Sequence, residues 1–201
     1  TTLLVLPISS ALSGTLQCAR MVKENGGYDN IYLYDSRCTT LMLELLVREA
    51  AKRAETLSIE ELIAFVDDLR SRAHLLAGID TLEYLAKGGS LNTATAAIGS
   101  LLRVKPIITI GDGGTIDVIG KKMGSKTAVR ELCGMVDLNK IDPEYGIRFL
   151  YSMRDANVRE LIVRMGLDPE TVLELQDIGP VIGTHIGPDA FGYVYVDRKE
   201  V

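Results

Sequence analysis

The sequence predicts an α/β protein of two lobes: an incomplete N-terminal lobe on a parallel sheet, and a C-terminal lobe on a mixed sheet. Two patterns carry this. Near the start, short apolar runs alternate with amphipathic helical stretches, the order that lays parallel strands under covering helices. Farther on, Gly111-Asp112-Gly113-Gly114 joins two apolar runs, the signal of an antiparallel hairpin. The chain has 201 residues, 47% of them apolar, enough for one large core or two small ones. We place the lobes at 1–76 and 77–201, with the boundary region between Arg72 and Asp80.

Each element has a local reason. Leu3–Ile8 is a short apolar strand, and Gly14–Asn25 a helix stopped by Gly26-Gly27. Asn30–Tyr34 is the next strand. Thr40–Ala54 reads as a helix with Leu41, Leu45, Leu46 and Ala50 on a broad apolar face. Ser58-Ile59-Glu60-Glu61 is a capping box. It starts a helix whose Ile59, Leu62, Ile63, Val66 and Leu69 share one side. In the second lobe Leu75–Ile79 is a strand, and Asp80 or Thr81 caps a short helix ending at Gly88-Gly89. Thr93–Arg103 reads as an Ala-rich helix, and Pro106–Ile110 and Thr115–Gly120 as the hairpin strands. Ser125–Leu138 is a helix, Gly146–Ser152 a strand, and Asp155–Met165 a helix with Gly166 as its stop. Asp168-Pro169 opens a helix through Leu175; Val181–Thr184 and Gly192–Val196 are the closing strands.

The net charge of −5 argues against nucleic acid or an anionic membrane as the main partner. No run approaches the roughly 18 apolar residues that cross a bilayer, so no membrane insertion is expected. The N-terminus is not signal-like, and the cysteine usage read below is that of a cytoplasmic protein. It opens at Thr1-Thr2 rather than Met, which predicts a fragment or a processed product. Cys18, Cys38 and Cys133 are odd in number and lack C-x-x-C spacing, so we expect reduced, buried thiols. With only His74 and His185, no metal site is expected, and no cofactor.

The most informative segment is Pro7–Leu16, an apolar strand end, a hydroxyl-rich turn and a helix start. A helix N-terminus carries unpaired N–H groups and a partial positive charge. Ser9, Ser10, Ser13 and Thr15 add hydroxyl donors there, and Gly14 admits a ligand to the backbone. Such a turn holds a carboxylate or phosphate without a cation. Ser and Thr before a helix are, however, often only caps, and these residues read as caps too. Three further Gly-rich clusters stand out: Leu85–Leu91, Leu102–Pro106 leading to the hairpin, and Ile178–Pro188. None matches a dinucleotide or P-loop fingerprint. Gly88-Gly89 reads as a helix stop and Lys105 as a solvated cation. Thr184-His185 sits between a strand end and a Gly-Pro turn, where both a structural and a functional role stay open.

Taken in order, these clusters resemble the DegV family of bacterial fatty-acid-binding proteins. The stretches that carry the resemblance are Ile8–Thr15, Asp35-Ser36, Asp80–Leu85, Gly88-Gly89, Val104–Ile107, and Ile182–His185 with Gly187-Pro188. The resemblance implies a two-lobed α/β protein that holds one long-chain fatty acid, its acyl chain in an apolar tunnel and its carboxylate at the lobe junction. The bound acid is presented to a separate fatty acid kinase, which makes the acyl-phosphate. The binding protein is then no enzyme and supplies no catalytic residue. The implied ligand-binding residues are Ser9, Ser10, Ser13, Gly14, Thr15, Thr184 and His185. Burying about 14 methylenes at about 0.8 kcal/mol each gives on the order of 10 kcal/mol gross. One charge-assisted hydrogen bond gives about 1.5–3 kcal/mol. The tunnel would therefore supply affinity, and the hydroxyls and His185 would orient the acid.

The chain also departs from the family pattern. Family members begin earlier, with a Thr-Ser-Gln-Pro turn near the carboxylate, so the resemblance implies N-terminal truncation. Ser90 stands where the family has arginine, Met123 near a usual basic position, and Asp189 where the last turn has glycine. Cys38–Glu44 replaces a Gly-rich stretch. Asp189 is expected to point to solvent. Two other functions compete with the leading one. One is a degenerate relative with a protein-interaction role. The other is an enzyme on a small carboxylate or phosphate, with His185 as acid–base and Asp35 or Asp80 as its partner.

Overall fold

The computed structural model describes residues 1–89, 104–170, 172 and 175–199, which fall into two compact units. The predicted helix Thr93–Arg103 and the position Ser90 lie outside the described residues.

The first unit comprises Thr1–Ala73 together with the turn Gly111–Thr115. Strand β1 (Leu3–Val5) pairs in parallel with β2 (Ile31–Leu33), Leu4 opposite Tyr32. Helix α1 (Thr15–Gly26) makes the crossover. The first strand is shorter than the expected Leu3–Ile8 because Pro7 lacks an N–H and Ser9 turns aside to bond Cys38. Helices α2 (Thr40–Arg53) and α3 (Ile59–Arg72) pack together around Leu41, Leu45, Leu46, Leu62, Val66 and Leu69, all buried. The capping box is formed as read. Glu61 N–H donates to Ser58 Oγ at 3.3 Å, and Ser58 N–H donates to the Glu61 carboxylate at 2.9 Å. Buried Glu49 lies between Lys52 Nζ at 2.6 Å and Arg53 Nη1 at 2.7 Å. Burial pushes its carboxyl up, and the two cations outweigh that and hold it below the usual range.

The second unit carries a six-stranded mixed sheet in the order β5-β4-β3-β8-β6-β7. Its strands are β3 (Ala73–Gly78), β4 (Val104–Ile110), β5 (Ile116–Met123), β6 (Ile147–Tyr151), β7 (Leu175–Asp177) and β8 (Phe191–Val196). Pairs β3/β4, β4/β5 and β6/β8 are antiparallel, and β6/β7 is parallel. Helices α5 (Ser125–Gly134) and α6 (Ala156–Arg164) cover one face; α4 (Glu83–Lys87) packs on α7 (Pro180–Ile186). The core joins Leu76, Ile107, Phe149, Phe191 and Tyr193 to Ala128, Leu132, Val158, Leu161 and Ile162. Tyr193 donates its hydroxyl to the Leu132 carbonyl at 2.7 Å, so its one polar atom is satisfied inside the core.

Four expectations are corrected here. Val181–Thr184 is not a strand but lies in α7. Pro180 at the first helical position and Gly179 before it preset a helix start, and Gly183 N–H closes onto the Gly179 carbonyl at 2.9 Å. Leu175 does not end a helix: it opens β7 and pairs with Phe149. Helix α5 stops at Gly134, short of Leu138. The thiols are not uniformly buried either, for Cys18 is exposed on α1, Cys133 is half-buried and only Cys38 is enclosed.

Candidate functional site

The hydroxyl turn lies in the first unit, between β1 and α1. Ser9 is fully buried at its centre. Its N–H donates to the Cys38 carbonyl at 2.9 Å, and its hydroxyl donates to the Gly114 carbonyl at 2.8 Å. Its Oγ also accepts from Ala11 N–H at 3.2 Å. Ser9, named above among the implied ligand-binding residues, directs its hydroxyl proton to seating the Gly111–Thr115 turn. The seat requires glycine at position 114, where φ is +74° and a Cβ would stand 2.2 Å from Ser9 Oγ.

Ser10 is exposed and turned to Asp35. Its N–H reaches Oδ1 at 3.1 Å, and its hydroxyl donates to Oδ2. Arg37 N–H adds a third donor at 3.1 Å. Partial burial pushes the Asp35 carboxyl up, but these donors outweigh it and hold it below the usual carboxylate range. Ser10 therefore already serves an anion, one that repels a second.

Ser13 and Thr15 differ. Their hydroxyls pair with each other at 2.8 Å, and Thr15 N–H donates to Ser13 Oγ at 3.3 Å. Two hydroxyls share one mutual bond, so one O–H proton is left for an outside acceptor. The first bond of α1 runs from Cys18 N–H to the Gly14 carbonyl at 3.0 Å, with the N–H groups of Leu16 and Gln17 ahead of it. Among the described residues helix α1 has no side-chain cap, and none lies within 4 Å of a Cβ built at Gly14. Ser13, Gly14, Thr15 and this helix end are the part of the turn equipped to receive a carboxylate.

In the second unit Thr184 and His185 lie on α7. Thr184 is exposed, and its hydroxyl donates to the Val181 carbonyl of its own helix at 2.8 Å. His185 is half-buried, with its ring against the backbone of Gly88: a Cβ there would be 2.2 Å from Nδ1. The structure thus brings together two of the clusters picked out in the sequence, Gly88-Gly89 and Thr184-His185. Tyr84 fills the space beside Gly187 in the same way, at 2.3 Å from a built Cβ. Asp189 turns its carboxylate to the exposed Arg154, 3.4 Å away, rather than standing alone in solvent. Lys105, read as a solvated cation, is largely buried and paired with Asp80. Both acids suggested as partners for His185 therefore have other roles: Asp35 holds Ser10 and Arg37 N–H, and Asp80 holds Lys105.

Sequence reasoning passed over Arg70, whose Nη2 donates to the Gly111 carbonyl at 3.2 Å from a residue only 6% exposed. The signal was present, because position 70 falls one turn after Val66 on the buried face of α3. Among the described residues no group of three or more His, Cys, Asp or Glu is arranged to hold a metal ion. No helix among them is long and apolar enough to cross a membrane.

Comparison with known proteins places these features in a family. The profile described as "Uncharacterised protein, DegV family" matches residues 1–198. A DegV domain-containing protein of Caldanaerobacter subterraneus is 34% identical over 195 residues, covering 95% of this chain and 69% of that protein. The structure of a fatty acid binding DegV family protein from Streptococcus agalactiae superposes with a TM-score of 0.85 at 27% identity, covering 98% of this chain and 71% of the other. A second structure, described as showing fatty acid binding by a DegV family protein from Thermus thermophilus, gives 0.81 at 28% identity, with coverage of 98% and 71%. The chain spans about two thirds of the length of such relatives, 66% for a DegV domain-containing protein of Clostridium perfringens. A profile match over nearly every residue, with the same fold in the relatives, gives one conclusion: the chain belongs to the DegV family.

Proposed function

We propose that this chain binds one long-chain fatty acid, with the acyl chain in an apolar tunnel and the carboxylate on Ser13, Gly14, Thr15 and the start of α1. The observation that carries the proposal is the likeness to two structures described as fatty-acid-binding, at 27% and 28% identity over 98% of the chain. The spare Ser13/Thr15 proton and the open approach at Gly14 support the same reading. His185, seated on Gly88, adds a donor to the carboxylate; Thr184, whose hydroxyl donates to the Val181 carbonyl, supports the helix that presents it. Ser9 and Ser10 shape the turn and contribute indirectly. The chain acts in the cytoplasm without a cofactor or catalytic group of its own, and hands the acid to a separate kinase that transfers a phosphoryl group to the carboxylate.

The test is a titration of delipidated protein with oleate, for the wild type and for the double variant Ser13→Ala with His185→Ala. Losing one or two charge-assisted bonds should weaken binding about tenfold or more with little change in melting temperature. Equal affinity in the variant would refute the assignment of these residues. The engagement of Asp35 and Asp80 elsewhere weighs against the enzymatic reading of His185.

A further inference from the structure

The segment after the Asp35-Ser36 turn holds polar groups that the fatty-acid reading does not use. Thr39 is the N-cap residue of α2, with φ −148° and ψ 169°, yet its side chain makes no capping bond. It is 7% exposed, and its Oγ1 has no hydrogen-bond partner among the described residues. Thr40 Oγ1 is likewise buried without a partner. The first bond of α2 runs from Leu43 N–H to the Thr39 carbonyl at 3.2 Å, so the N–H groups of Leu41 and Met42 stand at a buried helix start. Arg70 lies beside this segment. Its Nη2 meets the Gly111 carbonyl, and its Nε is buried with no partner among the described residues. The turn that Arg70 meets is joined in turn to Cys38, the residue before Thr39: Gly114 N–H donates to the Gly111 carbonyl at 2.9 Å, the Ser9 hydroxyl donates to the Gly114 carbonyl at 2.8 Å, and Ser9 N–H donates to the Cys38 carbonyl at 2.9 Å. Burial pushes that thiol up to about 12, and the Arg70 guanidinium is the largest influence opposing it. Among the described residues no carboxylate pairs with Arg70.

A buried guanidinium whose partner among the described residues is a neutral carbonyl is poorly compensated. Here a helix start and two unpaired hydroxyls lie in the same neighbourhood, and all of them can donate. We propose that the start of α2, with Thr39, Thr40 and Arg70, is a buried oxyanion site that takes a carboxylate or phosphate group. The inference does not rest on the fatty-acid reading. The group has two sources to be told apart, a free oxyanion or the head of a bound acid; the second would place the acid's carboxylate here instead of on Ser13, Gly14 and Thr15.

The full chain, delipidated and dialysed into chloride, is titrated with inorganic phosphate and with acetate at constant ionic strength and pH. Calorimetry and thermal melting are the readouts, for wild type, Thr39→Val and Arg70→Met. We expect a saturable response in the wild type, Kd raised severalfold in Thr39→Val and about tenfold or more in Arg70→Met. Thr39→Val keeps the side-chain shape and serves if Arg70→Met does not fold. Repetition in saturating oleate separates the sources: loss of the response assigns the site to the acid's head, and an unchanged response assigns it to a free oxyanion. Both outcomes support the site. It is overturned if the wild type gives no saturable response to either anion, or if the folded variants respond as the wild type does. Oleate binding is measured alongside, so failure here is distinguishable from failure of the fatty-acid reading.

Discussion

Gly88→Ala would separate the position of His185 from the stability of the fold. At Gly88 φ is −78° and ψ −1°, ordinary values for any residue, so alanine adds no backbone strain. The effect is steric. The new Cβ would stand 2.2 Å from His185 Nδ1, where ordinary contact begins near 3.4 Å. The imidazole must retreat by about 1 Å, and overpacking of this kind costs about 1–3 kcal/mol. The obstructing atom is the end of a side chain rather than backbone, so the lower figure applies. If His185 donates to the carboxylate, that retreat removes a charge-assisted bond of about 1.5–3 kcal/mol, and Kd rises about tenfold to a hundredfold. The assay pairs displacement of a fluorescent fatty acid with urea denaturation. The control is Gly134→Ala, in α5, where no described residue lies within 4 Å of the added methyl. That variant should keep its affinity and gain up to about 1 kcal/mol. If Gly88→Ala binds as tightly as the wild type while its stability falls, His185 does not touch the ligand.

Further predictions address the turn itself. Ser9→Ala leaves the buried Gly114 carbonyl without its partner, so it should cost about 1–3 kcal/mol in thermal denaturation; an unchanged melting temperature would contradict the seat described for the hairpin turn. Asp35 is held below its unfolded value, so its contribution to stability is present above the unfolded pKa and is lost as pH falls through the lower folded one. Ser10→Ala should move the Asp35 titration in NMR back upward, and an unmoved titration would show that Ser10 is not the donor. The thiols should react with iodoacetamide in the order of their exposure, Cys18 first, Cys133 next and Cys38 last, its pKa pushed up to about 12 by burial. Early labelling of Cys38 in folded protein would contradict its enclosure.

What could be read in advance follows the range of the interactions. The α3 start was legible because Ser58 and Glu61 lie one turn apart, and the β4–β5 hairpin because Gly111–Gly114 carries its own turn chemistry. Segment Val181–Thr184 misled because a short apolar run fits strand and helix alike; Pro180 at the first helical position was the deciding cue. The division of labour among the four hydroxyls was not legible at all. Ser9 is engaged by a carbonyl 105 residues away and Ser10 by a carboxylate 25 residues away. The Ser13–Thr15 pair, two residues apart, is the one part of the turn whose state follows from local spacing. Arg70 was hidden for a related reason: its partner, Gly111, enters from a hairpin 41 residues later.

The central claim is that the chain carries a fatty acid. Native mass spectrometry of the full chain purified from bacteria, with extraction and analysis of bound lipid, tests it most directly. The account predicts a complex heavier than the polypeptide by one long-chain fatty acid, with free acid recovered in the extract. A bare polypeptide mass that stays unchanged after incubation with oleate would contradict it.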